Sequence, residues 1–233
     1  MKKLILIAAV MAALAETASA APVQLISNGD FETGNLSGWT VNRTGDIDND
    51  EYVIVNGGVV PASGHPTQVL SGGGNFVVAS DQTGAGGEEL RQAFTVAPGT
   101  VKLTLDFDWF DNTHNPYIGA AIDGSEQAGR VDLLVAGAGR FDIGAGVVQN
   151  LLLNAGTETS FGVTIPWQHA TFDLTGLAVG SYELRFGNGQ CCFFQEMGID
   201  NVSLLAQIPE PGSIALIGAA LASFGASRRR RSV

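Results

Sequence analysis

From Val101 to Trp109 the chain alternates without a break. Val101, Leu103, Leu105, Phe107 and Trp109 occupy the odd positions, and Lys102, Thr104, Asp106 and Asp108 the even ones. A period of two belongs to a strand, with one face for a core and one for water. The turn Ala97-Pro98-Gly99-Thr100 precedes this run, and Phe94 and Val96 belong to the strand before the turn. Shorter β-rich runs predict strands over 75–79, 130–136, 170–174, 181–186 and 199–205. Thirty-one glycines and eight prolines punctuate these runs, most densely from Gly57 to Gly87. No segment of the central region has a convincing helical period, and no fixed-length repeat appears. The expectation is an all-β sandwich.

Both ends read as addresses. Lys2 and Lys3, the apolar run Leu4–Ala15 and the small-residue site Ala18-Ser19-Ala20 have the order of a secretory signal peptide. At the other end Pro209-Glu210-Pro211 is followed by an apolar run from Gly212 to Ser227 and then by Arg228, Arg229, Arg230 and Arg231. The prolines separate this tail from the folded part. The uncharged run suits a membrane-seeking helix, and the arginines would hold its end on the cytoplasmic side. Its sixteen residues are short against the roughly 20 of a permanent span. This three-part order resembles the PEP-CTERM sorting tail. The resemblance implies an exosortase-type processing enzyme as partner, transient membrane attachment, and a final place in the cell envelope or extracellular matrix. The division expected is signal peptide 1–20, ectodomain 21–207 and sorting tail 208–233.

With both signals set aside, the 12 basic residues lose Lys2, Lys3 and four tail arginines, and the 23 acids lose Glu16 and Glu210, leaving six against twenty-one. A domain this acidic is no partner for nucleic acid, because neutralising phosphate needs Lys and Arg. It is compatible with divalent cations. About 185 residues remain, enough for one sizeable core.

Three segments resemble galactose-binding-like jelly rolls, which include many carbohydrate-binding modules. They are Leu25-Ile26-Ser27-Asn28-Gly29-Asp30-Phe31-Glu32 with Leu36-Ser37-Gly38-Trp39, the hairpin from Leu90 through the alternating strand, and Gly198-Ile199-Asp200-Asn201-Val202-Ser203-Leu204. The resemblance implies a jelly-roll β-sandwich and a structural calcium held by Glu32 and Asp200. Asp46, with Asp48 and Asp50, is a further candidate ligand. Those three mimic the start of an EF-hand, but Gly57 stands where that loop needs its bidentate glutamate.

Polysaccharide binding needs exposed aromatic rings beside planar polar groups. Trp109 is in phase with the core, and Trp39 belongs to the opening motif, where the family buries it. Trp167, Tyr117 and Tyr52 are therefore the candidate aromatics. The only cysteines, Cys191 and Cys192, are adjacent. A strained vicinal bridge, an intermolecular disulfide and two free thiols are the options in an oxidising compartment. Catalysis has little support: His65, His114 and His169 are scattered, and nucleophile and phosphate-loop motifs are lacking. Asp106 and Asp108 share a strand face and could supply one or both carboxylates of a glycosidase pair, though acids on the solvent face of a strand are usually just solvated. The sequence therefore favours an exported, non-catalytic matrix or envelope protein that binds polysaccharide. A structural or adhesive protein without a sugar ligand, and a secreted hydrolase, are the alternatives.

Overall fold

The computed structural model describes residues 21–45, 52–56, 58–59, 66–67, 74–81, 85–113, 118–154, 166–191 and 195–208. In chain order its strands are β1 (Val23–Gln24), β2 (Thr40–Gly45), β3 (Val53–Val55), β4 (Gly58–Val59), β5 (Pro66–Thr67), β6 (Phe76–Asp81), β7 (Gly86–Val96), β8 (Lys102–Thr113), β9 (Ala128–Val135), β10 (Val147–Leu153), β11 (Gln168–Asp173), β12 (Gly180–Gln190) and β13 (Gln195–Gln207). Among the described residues there is no helix, and so none long and apolar enough to cross a membrane. The signal peptide, Asp46, Tyr117, Cys192 and the tail from Pro209 to Arg231 lie outside the described residues.

Two antiparallel sheets make the sandwich. One has the order β11-β8-β13-β6-β3, with β1 also pairing to β13. The other has the order β10-β9-β12-β7-β2. The alternation in β8 does what its period requires: Leu103, Leu105, Phe107 and Trp109 are buried in the shared core with Leu90, Phe94, Val131, Leu133, Leu184 and Phe186 of the facing sheet. Phe107 meets Phe186 edge-on, with ring centres 5.3 Å apart and planes at 86°. Side chains of this size contribute about 1.5–3 kcal/mol each when fully buried. Val101 departs from the expectation at 56% exposure. It precedes the strand proper and donates its N–H to Gln207 at the far end of β13, so the apolar face ends before it is reached.

The opening segment is docked rather than loose. Asn28 and Phe31 adopt the left-handed region, with φ of 49° and 52°. The turn buries Phe31 against Trp39, 5.6 Å between ring centres, and Trp39 in turn lies 6.0 Å from Phe186. The Trp39 indole N–H donates to the Asn28 carbonyl. On β13 the register shifts between Asp200 and Ser203, where Asn201 has φ 51°. This bulge receives the opening loop: Val202 N–H donates to the Gly29 carbonyl at 2.9 Å. A Cβ on Gly29 would stand 2.0 Å from the Val202 carbonyl oxygen, so only glycine permits the approach.

Candidate functional site

The outward faces of the two sheets differ in kind. On the sheet of β7, β9 and β12 the outward positions carry charges that are themselves buried. Arg185, fully buried, donates to Asp132 through Nη2 at 2.6 Å and Nε at 3.1 Å. Arg130 grips the same carboxylate with two 2.7 Å bonds. Burial opposes ionisation of Asp132, yet the Arg130 hydrogen bonds and the Arg185 charge hold its carboxyl below the usual carboxylate range. Arg91 pairs with Glu89 at 2.6 Å and with Glu183 at 3.1 Å. Two loop segments close over this ladder. Arg91 also donates to the Ala138 and Gly139 carbonyls, and Arg130 to that of Ala120. Ile122 lies across Gly87, Gly187 and Gly189, where any Cβ would fall 1.8–2.7 Å from it. This half of the face is sealed by its own chain, whereas Ala93, Thr95 and Ser181 further along it are exposed.

Three rows cross the outward face of β11, β8 and β13, which is exposed at His169, partly exposed at Asp106 and Asp108, and buried at Phe110, Glu196 and Asp200. In the first row Asp200 pairs with Asp108, and Asp108 with His169. His169, with its side chain 61% exposed, lies 2.8 Å through Nδ1 from Asp108 Oδ1. Asn201 donates its amide to the other oxygen, Asp108 Oδ2, at 2.8 Å. Beside this row Thr171 donates its hydroxyl to Asp106 at 2.7 Å. The second row is aromatic. Gly198 pairs with Phe110, and a Cβ there would come within 2.0 Å of the Phe110 ring, so glycine lets that ring lie across β13. Trp167, one residue before β11, packs edge-on against Phe110 at 4.8 Å and 88° and against Phe76 at 5.1 Å and 83°. The third row carries Glu196, opposite Asn112. Glu196 is 2% exposed, and burial lifts its carboxyl to about 8.

Trp167 therefore differs from its expectation as a freely exposed aromatic. It is half-buried, clamped between two phenylalanines, and shares its face with His169 and Thr171 two and four residues on. Tyr52 is overturned as a surface aromatic. It is 2% exposed, and its hydroxyl donates to the Phe186 carbonyl at 3.0 Å inside the sandwich. Burial first, then the charges of Glu88 and Glu89, hold that hydroxyl well above its ordinary pKa. Cys191, directly after β12, is disulfide-bonded.

Glu32 and Asp200 lie on the two segments that meet at the β13 bulge. Glu32 accepts the Asn75 N–H at 2.7 Å, capping the start of β6. Asp200 is 3% exposed. Burial lifts its carboxyl to about 7 against the Asn201 N–H that lowers it, and the charges of Asp108, Glu32 and Asp30 push the same way as burial. Crowding of anionic oxygen round a buried carboxyl is chemistry that a cation relieves. Among the described residues, however, no three His, Cys, Asp or Glu side chains are grouped to hold a metal ion, so backbone oxygens or further residues must complete any shell.

The fold and face define a β-sandwich of two antiparallel sheets, with the partly exposed polar row of His169, Asp108 and Asp106 on one of them. Residues 207–231 match the PEP-CTERM protein-sorting motif, which marks an exported protein sorted to the cell surface. No curated protein sequence matches the chain. Among solved structures, the enzymatically active domain of tailspike protein 4 of bacteriophage CBA120 is 16% identical, with a TM-score of 0.44 over 80% of this chain; the match spans only 22% of that one. TmCBM61, solved with β-1,4-galactotriose, is 17% identical, with a TM-score of 0.46 over 78% of this chain and 97% of its own. The K1 cleaved adhesin domain of Lys-gingipain from Porphyromonas gingivalis W83 is 15% identical, with a TM-score of 0.43 over 79% of this chain and 98% of its own.

Proposed function

We propose that this exported protein binds polysaccharide on the exposed part of the outward face at β11 and β8, and that it works without catalysis in the envelope or matrix after processing of its tail by an exosortase-type enzyme. The observation that carries the reading is the common outward phase of Trp167, His169 and Thr171 beside Asp108 and Asp106. A ring held rigid by two neighbours offers apolar area at little entropic cost. The carboxylate, imidazole and amide groups beside it are hydroxyl partners already fixed by one another. Asp106 and Asp108 serve here as hydrogen-bond acceptors. Their engagement by Thr171, His169 and Asn201 favours this role over that of an acid–base pair. We further propose a stabilising calcium at Glu32 and Asp200, where it would join the opening loop to the bulge.

Affinity electrophoresis of the full-length protein through a panel of neutral and acidic polysaccharides tests the reading. Retardation by at least one polymer is expected. Trp167→Ala should weaken it about tenfold or more, the scale of losing an interface anchor. Retardation unchanged in both Trp167→Ala and Asp108→Ala would move the site elsewhere. No retardation by any polymer would favour the structural or adhesive role.

A further inference from the structure

At the end of the sandwich where β7 begins and β12 finishes, the inward positions stop being apolar. On one sheet Glu88 pairs with Asn188, and Asn188 with Gly129. Gln190 follows on the same face of β12. On the other sheet Asp111 continues the inward phase of Leu105, Phe107 and Trp109, and Gln195 precedes Met197 in the same phase of β13. A Cβ on Gly129 would lie 2.4 Å from Asp111 Oδ1, so the Asp111 carboxylate spans the interior through the space that glycine leaves. Asn188 thus stands in the ladder between Glu88 and Gly129, and Gly129 is where the Asp111 carboxylate arrives.

All five side chains are buried: Glu88 at 2% exposure, Asp111 at 1%, Asn188 at 3%, Gln190 at 2% and Gln195 at 0%. Buried polar atoms are ordinarily paired. Here Asn188 Oδ1, Gln190 Oε1 and Gln195 Oε1 are buried without a hydrogen-bond partner among the described residues. For Gln195 the identity of that atom is fixed, because its Nε2 donates to Asp111 Oδ1 at 2.7 Å and its oxygen must be the remaining end. What this end of the core offers is acceptor oxygen: amide carbonyls at the ends of β12 and β13, and carboxylates from β7 and β8. Hard cations take such a shell. Arg43 Nε lies 3.7 Å from Glu88 Oε1 and offsets part of that acid's charge, which leaves Asp111 as the main anionic ligand.

We propose that this interior end holds a divalent cation of the calcium class, ligated by the Asp111 carboxylate and the amide oxygens of Gln195, Asn188 and Gln190, with Glu88 supplying a second, partly offset negative charge. The ion cross-links the two sheets, since Asp111 and Gln195 come from one and the other three from its partner. It is separate from the proposed Glu32–Asp200 site, because Asp200 faces outward on β13 whereas Gln195 faces inward. Only two carboxylates take part.

The test uses purified full-length protein carrying Glu32→Gln and Asp200→Asn, so that failure of that outer site leaves this one measurable. After dialysis against chelator, bound calcium is counted by equilibrium dialysis, and the thermal midpoint is followed with and without calcium. The expected result is one calcium per chain and a saturable rise of several degrees in the midpoint. Asp111→Asn and Gln195→Leu should each weaken retention at least tenfold and remove the rise. Asn188→Leu and Gln190→Leu probe the opposite wall and keep the test open if either of the first two fails to fold. They too should weaken retention tenfold while melting cooperatively in chelator. No retained calcium in the Glu32→Gln, Asp200→Asn protein, or retention equal in all the substituted forms that fold, would overturn the proposal.

Discussion

Glu196→Gln isolates one buried charge. The Glu196 carboxyl is lifted from an ordinary 4.5 to about 8, and burial is the whole cause. A carboxyl raised on folding holds its proton more tightly in the native state. Its contribution is therefore fully present below about pH 4.5 and is lost as pH rises through about 8, because ionisation then favours the unfolded chain. Three and a half pK units at 1.36 kcal/mol each set a ceiling of ~5 kcal/mol above pH 8. Relaxation and water entry reduce such penalties, so a gain of about 2–5 kcal/mol is the working range. Glutamine keeps the shape and cannot ionise. Whatever its amide costs is constant with pH and cancels when the difference from wild type is followed across the range. Urea unfolding of both proteins at pH 5, 7 and 9 measures that difference. It should move in favour of Glu196→Gln by at least ~2 kcal/mol between pH 5 and pH 9. Other carboxylates that titrate do so in both proteins and drop out. A difference flat to within ~0.5 kcal/mol, or one that grows toward acid, would refute the burial argument.

In chelator, Asp200→Asn should act in the same direction but over a lower window, gaining relative stability as pH rises from about 4 toward 7, because without a cation the Asp200 carboxyl is lifted to about 7; a pH-independent difference in urea midpoint would count against it. Arg185→Met leaves Asp132 and Glu89 facing each other without their shared cation, and should lower stability by about 3–5 kcal/mol in denaturant titration. Gly198→Ala drives a Cβ into the Phe110 ring and should cost about 1–3 kcal/mol while reducing polysaccharide retardation, since Trp167 rests on that ring; unaltered binding and stability together would show that the aromatic row is not the support described.

Legibility in the sequence followed burial. The β8 strand could be read because one of its faces is apolar and the other wet. The run 181–186 and the hairpin from Leu90 could be read as strands too, but not the burial of their charges: Glu89, Arg91 and Arg185 are buried beside the segments around Ala120 and Gly139. The β10 strand was missed for a different reason. Its register shifts between Val147 and Gln149 and again between Asn150 and Leu152, which breaks the period of two. Tyr52 looked like a loop aromatic because acids precede it in sequence. Its partner, Phe186, is 134 residues away, and no local pattern announces that contact. The outward face of β11 and β8 did leave a signal: Trp167, His169 and Thr171 alternate along β11, and reading that alternation would have joined the tryptophan to the histidine and to the acids opposite.

Charge narrows the polymers that the outward face of β11 and β8 can take. Asp106 and Asp108 are partly exposed on that face, on a domain in which acids outnumber bases by fifteen once the terminal signals are set aside. An acidic polysaccharide approaching it meets like charge, and repulsion between exposed charges is screened over about 8–10 Å at physiological salt. A neutral polymer meets none of this and is held by ring contact and hydrogen bonds, which salt barely alters. Retardation by neutral polysaccharide should therefore change little between 20 mM and 500 mM sodium chloride. Retardation by an acidic one should be weak at low salt and strengthen as salt rises or as calcium bridges the two surfaces. The opposite salt dependence, with acidic polymer bound best at low salt, would require a cationic surface. Among the described residues the basic side chains of the ladder are instead committed to Glu89, Asp132 and Glu183 beneath the sealed half of the other sheet's face.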